Sequence, residues 1–412
     1  MNWKDTPEQA AFRAEVREFI RARFPSAYRA DTDMQQSLEP EDVYGYNWAA
    51  DRRAADAQRR EGAMAWASTL AERGWVAPHF PKEYGGAELG AIEDCILQEE
   101  MMRERVPSVS GIGVNLLGPT LLAFGTETQK LEHLPRIARG EVAWAQGFSE
   151  PGSGSDLASL KTRAVRDGED YVVNGQKVWT SLAQYSEWAM LLVRTDPGAE
   201  RPHRGISYLM VDLASPGVTV RPIEDLRGGT PFCEIFFEDV RVPAANRVGE
   251  ENQGWRVAMA TLGFERSGLG SVIRYQHALD RLIALMKSDE SKRFLRTDAR
   301  GALRQEIAQR QIEIRVLYNL ALHSVSTKAS GGVPGHEASI SQLFGAELHQ
   351  RLARTGMKAF GPWAQLTQGK DTPLEAMFTH DFLGAIAHPF LGGSSEVQRN
   401  VIATRGLGLP RS

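Results

Sequence analysis

The densest set of residues able to do chemistry is Gly147-Phe148-Ser149-Glu150-Pro151-Gly152-Ser153-Gly154-Ser155-Asp156. Pro151, Gly152 and Gly154 dictate a tight loop whose backbone can approach a ligand closely. Successive N–H groups of such a loop form an anion-binding concavity, and Ser149, Ser153 and Ser155 add hydroxyl donors. Taken alone, the same residues also read as a Gly/Ser turn leading into a β unit. Further on, Asn174-Gly175-Gln176-Lys177-Val178-Trp179-Thr180-Ser181 offers Trp179, either a stacking face for a planar ligand or a core aromatic. Glu265-Arg266 lies in a helical stretch, where adjacent side chains point about 100° apart and can serve different partners. Glu265 reads otherwise as a solvated helix glutamate. The nine histidines show no metal-ligand spacing, and His380-Asp381 is assigned no role. Cys95 and Cys233 form no CxxC motif and read as small buried hydrophobes.

Three kinds of segment must position these residues. The first is helical. Thr6 can N-cap, Pro7 suits the first helical position, and Gln9 completes a capping box; Phe12, Val16, Phe19 and Ile20 then share a face. A polar stretch from Asp31 to about Glu61 reads as a long connection or solvated helix. Further helices are predicted at Met64–Arg73, Ile92–Met102 and Val114–Phe124. Near residue 145 the character changes. Tyr171–Val173 and Lys177–Trp179 read as a hairpin turning at Asn174-Gly175, followed by strands at Ala189–Arg194, Ile206–Val211, Val218–Pro222 and Glu234–Val242. After Gly249 the helical period returns, over Gly254–Lys287, Ala302–Ser330, Glu337–Ala359 and Glu396–Ala403. The expected class is α+β: an N-terminal helical domain (1–143), a central β-barrel or sandwich (144–250) and a C-terminal helical bundle (251–412).

Composition bounds the partners. The 412 residues exceed one ordinary core, so two or three packed units are expected. A net charge of −4 gives no electrostatic case for nucleic acid or an anionic membrane. With only two cysteines a disulfide scaffold is not expected, and a reducing cytoplasm fits. The opening Met1–Glu8 lacks a basic region and apolar core and reads as no secretory signal. No run of about 18 apolar residues is present to span a membrane.

Several of these segments resemble the acyl-CoA dehydrogenase family. Ser149–Asp156 is similar to its first signature, and Asn174–Ser181 to its flavin-facing strand. Pro81–Gly86, Phe237–Pro243 and Val248–Trp255 also look like family segments, and Gly393–Arg399 resembles the terminal flavin-binding turn. The matches occur in family order over roughly residues 75–405. The resemblance implies bound FAD, an acyl-CoA substrate and helical, β and helical domains in that order. Phe148 and Ser149 would sit at the isoalloxazine edge, where donors stabilise reduced flavin. Gly154 would belong to the same cofactor loop, and Ser155 would lie near the phosphates or the CoA chain. Trp179 would pack against the flavin and Ser181 reach towards N5. Ser394 and Glu396 would lie near the diphosphate or adenosine, although Glu396 stands where the family commonly has Gln.

The family's reaction removes an α proton with a carboxylate while hydride leaves the β carbon for flavin N5. Many members place that Glu immediately before the Gly of the terminal turn, where this chain has Gly392. The Gly392 N–H is left to donate to the thioester oxygen. Other members carry the base on a helix of the C-terminal domain, a pattern that Leu262–Gly268 fits, with Glu265 as base and Arg266 binding CoA. The family's Arg-x-x-Phe-Gly segment, which reaches a neighbouring subunit's FAD, is missing from Tyr275–Arg296; Arg274, Arg281 and Arg293 are the substitutes available. Three readings follow: an acyl-CoA dehydrogenase using Glu265, a flavin oxidase or monooxygenase on the same fold, or an FAD- or CoA-binding subunit active only beside a related chain. The resemblance further implies a homodimer or homotetramer, an electron-transfer flavoprotein or similar acceptor, and a bulky or long acyl group.

Overall fold

The computed structural model describes residues 5–29, 46–109, 111–264, 269–289, 291–294, 300–332, 335–369 and 371–410. Helices form an N-terminal layer: α1 (Pro7–Arg23), α2 (Trp48–Asp51), α3 (Ala57–Ala71), α4 (Ala91–Arg103), α5 (Gly118–Phe124) and α6 (Glu127–Ala138). The capping box of α1 forms as read, Thr6 Oγ1 accepting from Gln9 N–H and Gln9 Oε1 from Thr6 N–H. The same device starts α6, with Thr126 and Gln129. Sequence reading missed α6 because Pro135 sits inside it. The polar stretch Asp31–Glu61 lies outside the described residues up to 45; beyond that, Asn47 caps α2 and Asp56 caps α3.

Seven strands follow: β1 (Trp144–Gly147), β2 (Arg163–Asp167), β3 (Asp170–Ser181), β4 (Trp188–Arg194), β5 (Ile206–Asp212), β6 (Val218–Ile223) and β7 (Phe232–Pro243). They form one curled sheet of order β1-β4-β2-β3-β7-β6, with β5 paired to β4. Alternation explains how the sheet serves two cores. Ala189, Leu191 and Val193 of β4 join Leu209 and Val211 of β5 inside the curl. Met190, Leu192, Tyr208 and Met210 face outward into the core of the N-terminal helices.

The expected hairpin at Asn174-Gly175 does not form. β3 runs straight through that dipeptide, and the reversal falls one strand earlier, between Asp167 and Asp170. Asn174 instead spends its side chain on β7, donating to Asp239 Oδ1 and accepting from Asp239 N–H, both at 3.0 Å. Gly175 has φ +151° and marks a register shift, and a Cβ there would lie 2.5 Å from Thr162 Oγ1. The glycine thus serves a bulge and a close approach.

The C-terminal layer comprises α7 (Gly254–Phe264), α8 (Leu269–Lys287), α9 (Ser291–Phe294), α10 (Arg300–Ala329), α11 (His336–Phe360), α12 (Met377–Gly384) and α13 (Ser395–Val401). Leu279, Leu282, Leu317, Leu348 and Leu352 fill a core between α8, α10 and α11. Among the described residues no helix is long and apolar enough to cross a membrane.

Candidate active site

β1 delivers Phe148 and Ser149. Phe148 is buried, its ring edge-on to Tyr208 with 5.9 Å between centroids. Ser149 is half-buried, and its carbonyl accepts from Val178 N–H at 3.0 Å, so the end of β1 pairs with β3. The loop beyond is pinched by reciprocal backbone bonds between Glu150 and Ser153 (2.9 and 3.0 Å). Gly152 and Gly154 have open space where a Cβ would stand, and Gly154 and Ser155 are exposed. Among the described residues nothing crowds these glycines, so the loop leaves room for a ligand to approach.

β3 delivers Trp179 and Ser181. Between Lys177 and Thr180 it slips register against β7, and Trp179 takes φ +60°. A bulky residue there costs about 1–3 kcal/mol, strain that clusters at ligand sites. The indole is 59% exposed, touching Phe232 edge-on. It is therefore no core aromatic. Ser181 is half-buried and paired with Phe232.

Behind these two arms lies an ion pair that sequence reading missed. Lys177 is fully buried; its Nζ donates to Glu150 Oε1 at 2.8 Å and to the Phe148 carbonyl at 3.1 Å. Glu150 also accepts from the N–H groups of Lys161 (2.7 Å) and Thr162 (2.8 Å). Burial alone would raise the Glu150 carboxyl, but the Lys177 ammonium and these donors hold it below its ordinary value. Burial pushes Lys177 down to about 8, against the pull of Glu150. Glu150 and Lys177 each lie inside a family-like segment, and only the fold brings them together.

The remaining predicted residues lie in the C-terminal layer. Ser394 N-caps α13, its Oγ accepting from Val397 N–H, and Glu396 is exposed, 3.9 Å from Arg399. This helix packs chiefly on α11. Gly392 and Gly393 have φ +64° and +97°. Gln398 Nε2 donates to the Gly392 carbonyl at 3.0 Å, and Gln342 Nε2 to the Leu391 carbonyl at 2.9 Å. A Cβ at Gly392 would come 3.3 Å from Gln342 Nε2, so this turn is built for glycine. Glu265 and Arg266 lie outside the described residues, immediately after α7. That helix is anchored at its start by Gly254, where a Cβ would meet Ser207 backbone at 2.4 Å. Of the arginines weighed as substitutes, Arg281 pairs with Glu375, Arg293 with Asp371, and Arg274 lies over the Tyr275 ring. Among the described residues no group of three or more His, Cys, Asp or Glu is arranged to hold a metal.

Residues 47–141, 145–240 and 252–407 match the N-terminal, middle and C-terminal domains of acyl-CoA dehydrogenase in turn. The acyl-CoA dehydrogenase IpdE1 of Mycobacterium tuberculosis is 41% identical over 357 residues, 85% of this chain and 89% of that relative. The chain belongs to the acyl-CoA dehydrogenase family. This acyl-CoA dehydrogenase is accordingly an FAD-dependent oxidoreductase. Among solved structures, the steroid ACAD Tcur3481-Tcur3483 superposes with TM-score 0.83 at 29% identity, covering 100% of both chains. The ChsE4-ChsE5 complex from Mycobacterium tuberculosis gives 0.78 at 32%, again with full coverage of both. The chain's own residues fit a flavin: an aromatic face held open at a rigid bulge, and beside it a roomy glycine loop.

Proposed function

We propose that this acyl-CoA dehydrogenase oxidises a bulky acyl-CoA thioester to its 2,3-enoyl form. The observation that carries the reading is the exposed Trp179 indole, fixed at a positive-φ bulge beside the Phe148–Ser149 arm. FAD, when bound, supplies the hydride acceptor for the β carbon. Phe148 and Ser149 would hold one edge of the ring and Trp179 a face, with Ser181 beside them. Gly154 and Ser155 would take the phosphates or the CoA chain, and Ser394 and Glu396 the dinucleotide's other end.

Glu265 takes the α proton onto its carboxylate, and Arg266 holds the CoA moiety. Gly392 offers its N–H to the thioester oxygen. The glycine-specific backbone at 392 supports a base placed elsewhere, since a glutamate there would be strained. A steroid-like acyl group is favoured by the likeness to a steroid ACAD. We assign the electrons to an electron-transfer flavoprotein or similar acceptor, the setting to the cytoplasm, and the units to residues 1–143, 144–250 and 251–412.

A second reading concerns assembly. The missing Glu at 392, the missing Arg-x-x-Phe-Gly segment and the likeness to two-chain complexes favour a related partner chain over a homodimer or homotetramer. The test is anaerobic mixing of the purified flavoprotein with short, long, branched and steroid-like acyl-CoAs, wild type beside Glu265→Gln. Flavin bleaching in the wild type alone supports both reaction and base. Bleaching retained in the variant removes Glu265 as base. No bleaching with any thioester, regained on adding a related chain, supports the partnered reading.

A further inference from the structure

β1 and β3 are not neighbours in the sheet: β4 and β2 stand between them. They meet only because the sheet curls, and they meet at the arms that bear Phe148–Ser149 and Trp179–Ser181. Three bonds close the curl there, from Val178 N–H to the Ser149 carbonyl and from Lys177 Nζ to Glu150 and to the Phe148 carbonyl. The Lys177 stem passes over Gly147, where a Cβ would stand 3.4 Å from Lys177 Cγ and 2.8 Å from Leu191 Cδ1. Glycine at the end of β1 therefore makes way for the lysine.

A buried ion pair is a poor source of stability, because desolvation offsets most of the attraction and an apolar pair often serves as well. Its value lies in geometry. We propose that Lys177 is a positioning residue for the flavin: by bonding Glu150 and the Phe148 carbonyl together, its ammonium fixes the spacing between the ring-edge arm and the Trp179 arm. The proposal rests on the flavin reading given above. The geometry is specific, since one ammonium bonds two acceptors that flank Ser149, while Trp179 lies two residues from Lys177 along β3. The charged groups facing Lys177 are Glu150 and Arg194.

The test compares wild type, Trp179→Leu and the double variant Lys177→Met/Glu150→Gln, which leaves no buried charge unpaired. FAD is titrated into each flavin-stripped protein, and the residual fluorescence of bound flavin reports its stacking on Trp179. The double variant should keep its far-ultraviolet circular dichroism and cooperative melt, bind FAD at least tenfold more weakly, and show brighter bound flavin, as Trp179→Leu does. A Kd within twofold of wild type with unchanged emission would overturn the proposal, whatever happens to Tm. If Trp179→Leu leaves the emission unchanged, or the wild type takes up no FAD, the flavin reading itself fails and the proposal with it. If the double variant does not fold, Lys177→Gln is read in the same way, and a Kd within twofold of wild type with unchanged emission overturns the idea.

Discussion

The hydroxyls of Thr120 and Thr261 meet at 2.8 Å in full burial, tying α5 to α7. Each also lies within reach of a carbonyl one turn back, Leu116 and Val257, so one hydroxyl donates to the other and the second donates to its own carbonyl. This contact fixes the helix whose end precedes Glu265. Thr261→Val removes one partner and should cost about 1 kcal/mol of stability. If Glu265 is the base, kcat should fall roughly tenfold through misplacement, with FAD affinity unchanged. Steady-state kinetics beside an FAD titration checks this, and equal loss of both would point to general loosening.

If Trp179 stacks on the flavin as proposed, its positive φ of 60° serves a ligand rather than the fold. Trp179→Gly relieves the positive φ and should leave the flavin-free chain as stable as wild type or up to about 1 kcal/mol more so. FAD affinity should nonetheless drop at least tenfold. Thermal melts with and without FAD separate the two effects, since the stabilisation that FAD confers should shrink.

Restoring a glutamate at the family's usual position should not restore function. Gly392→Glu in a Glu265→Gln background places a side chain at φ +64° facing Gln342. A stability loss of about 1–3 kcal/mol and no regained flavin bleaching are expected. Recovered bleaching would show that the turn adapts.

The pH response of Glu150 has a definite sign. Its carboxyl is held below 4.5 in the folded chain, so its contribution is complete above pH 4.5 and is lost as pH falls below that value. Denaturant melts from pH 6 to 3 should show a smaller acid-driven decline in Lys177→Met/Glu150→Gln than in wild type.

Local signals carried the helices with clear caps and the strands that are short apolar runs between turn residues. Thr6 with Gln9 announces α1, and Ala189–Arg194 announces β4. Asn174-Gly175 misled because the same dipeptide suits a primed turn and a bulge, and the choice lay with Asp239 and Thr162, far off in sequence. Pro135 hid α6, although Thr126 and Gln129 spelled its cap. At the site, the family motifs named the two segments that the fold brings side by side. They did not show that Trp179 is exposed, which depends on a register slip against β7. Nor did they pair Lys177 with Glu150, 27 residues apart, because only the closed curl brings them together.

Strand β4 belongs to two cores at once, with Leu191 turned one way and Met190 and Leu192 the other. Residues 145–240 match a domain recognised on its own, yet excising them would bare Met190, Leu192, Tyr208 and Met210 to water. A domain by its sequence match, this sheet is not thermodynamically modular. It should melt together with the N-terminal helices in one transition, and a truncated sheet should aggregate through the face those helices cover.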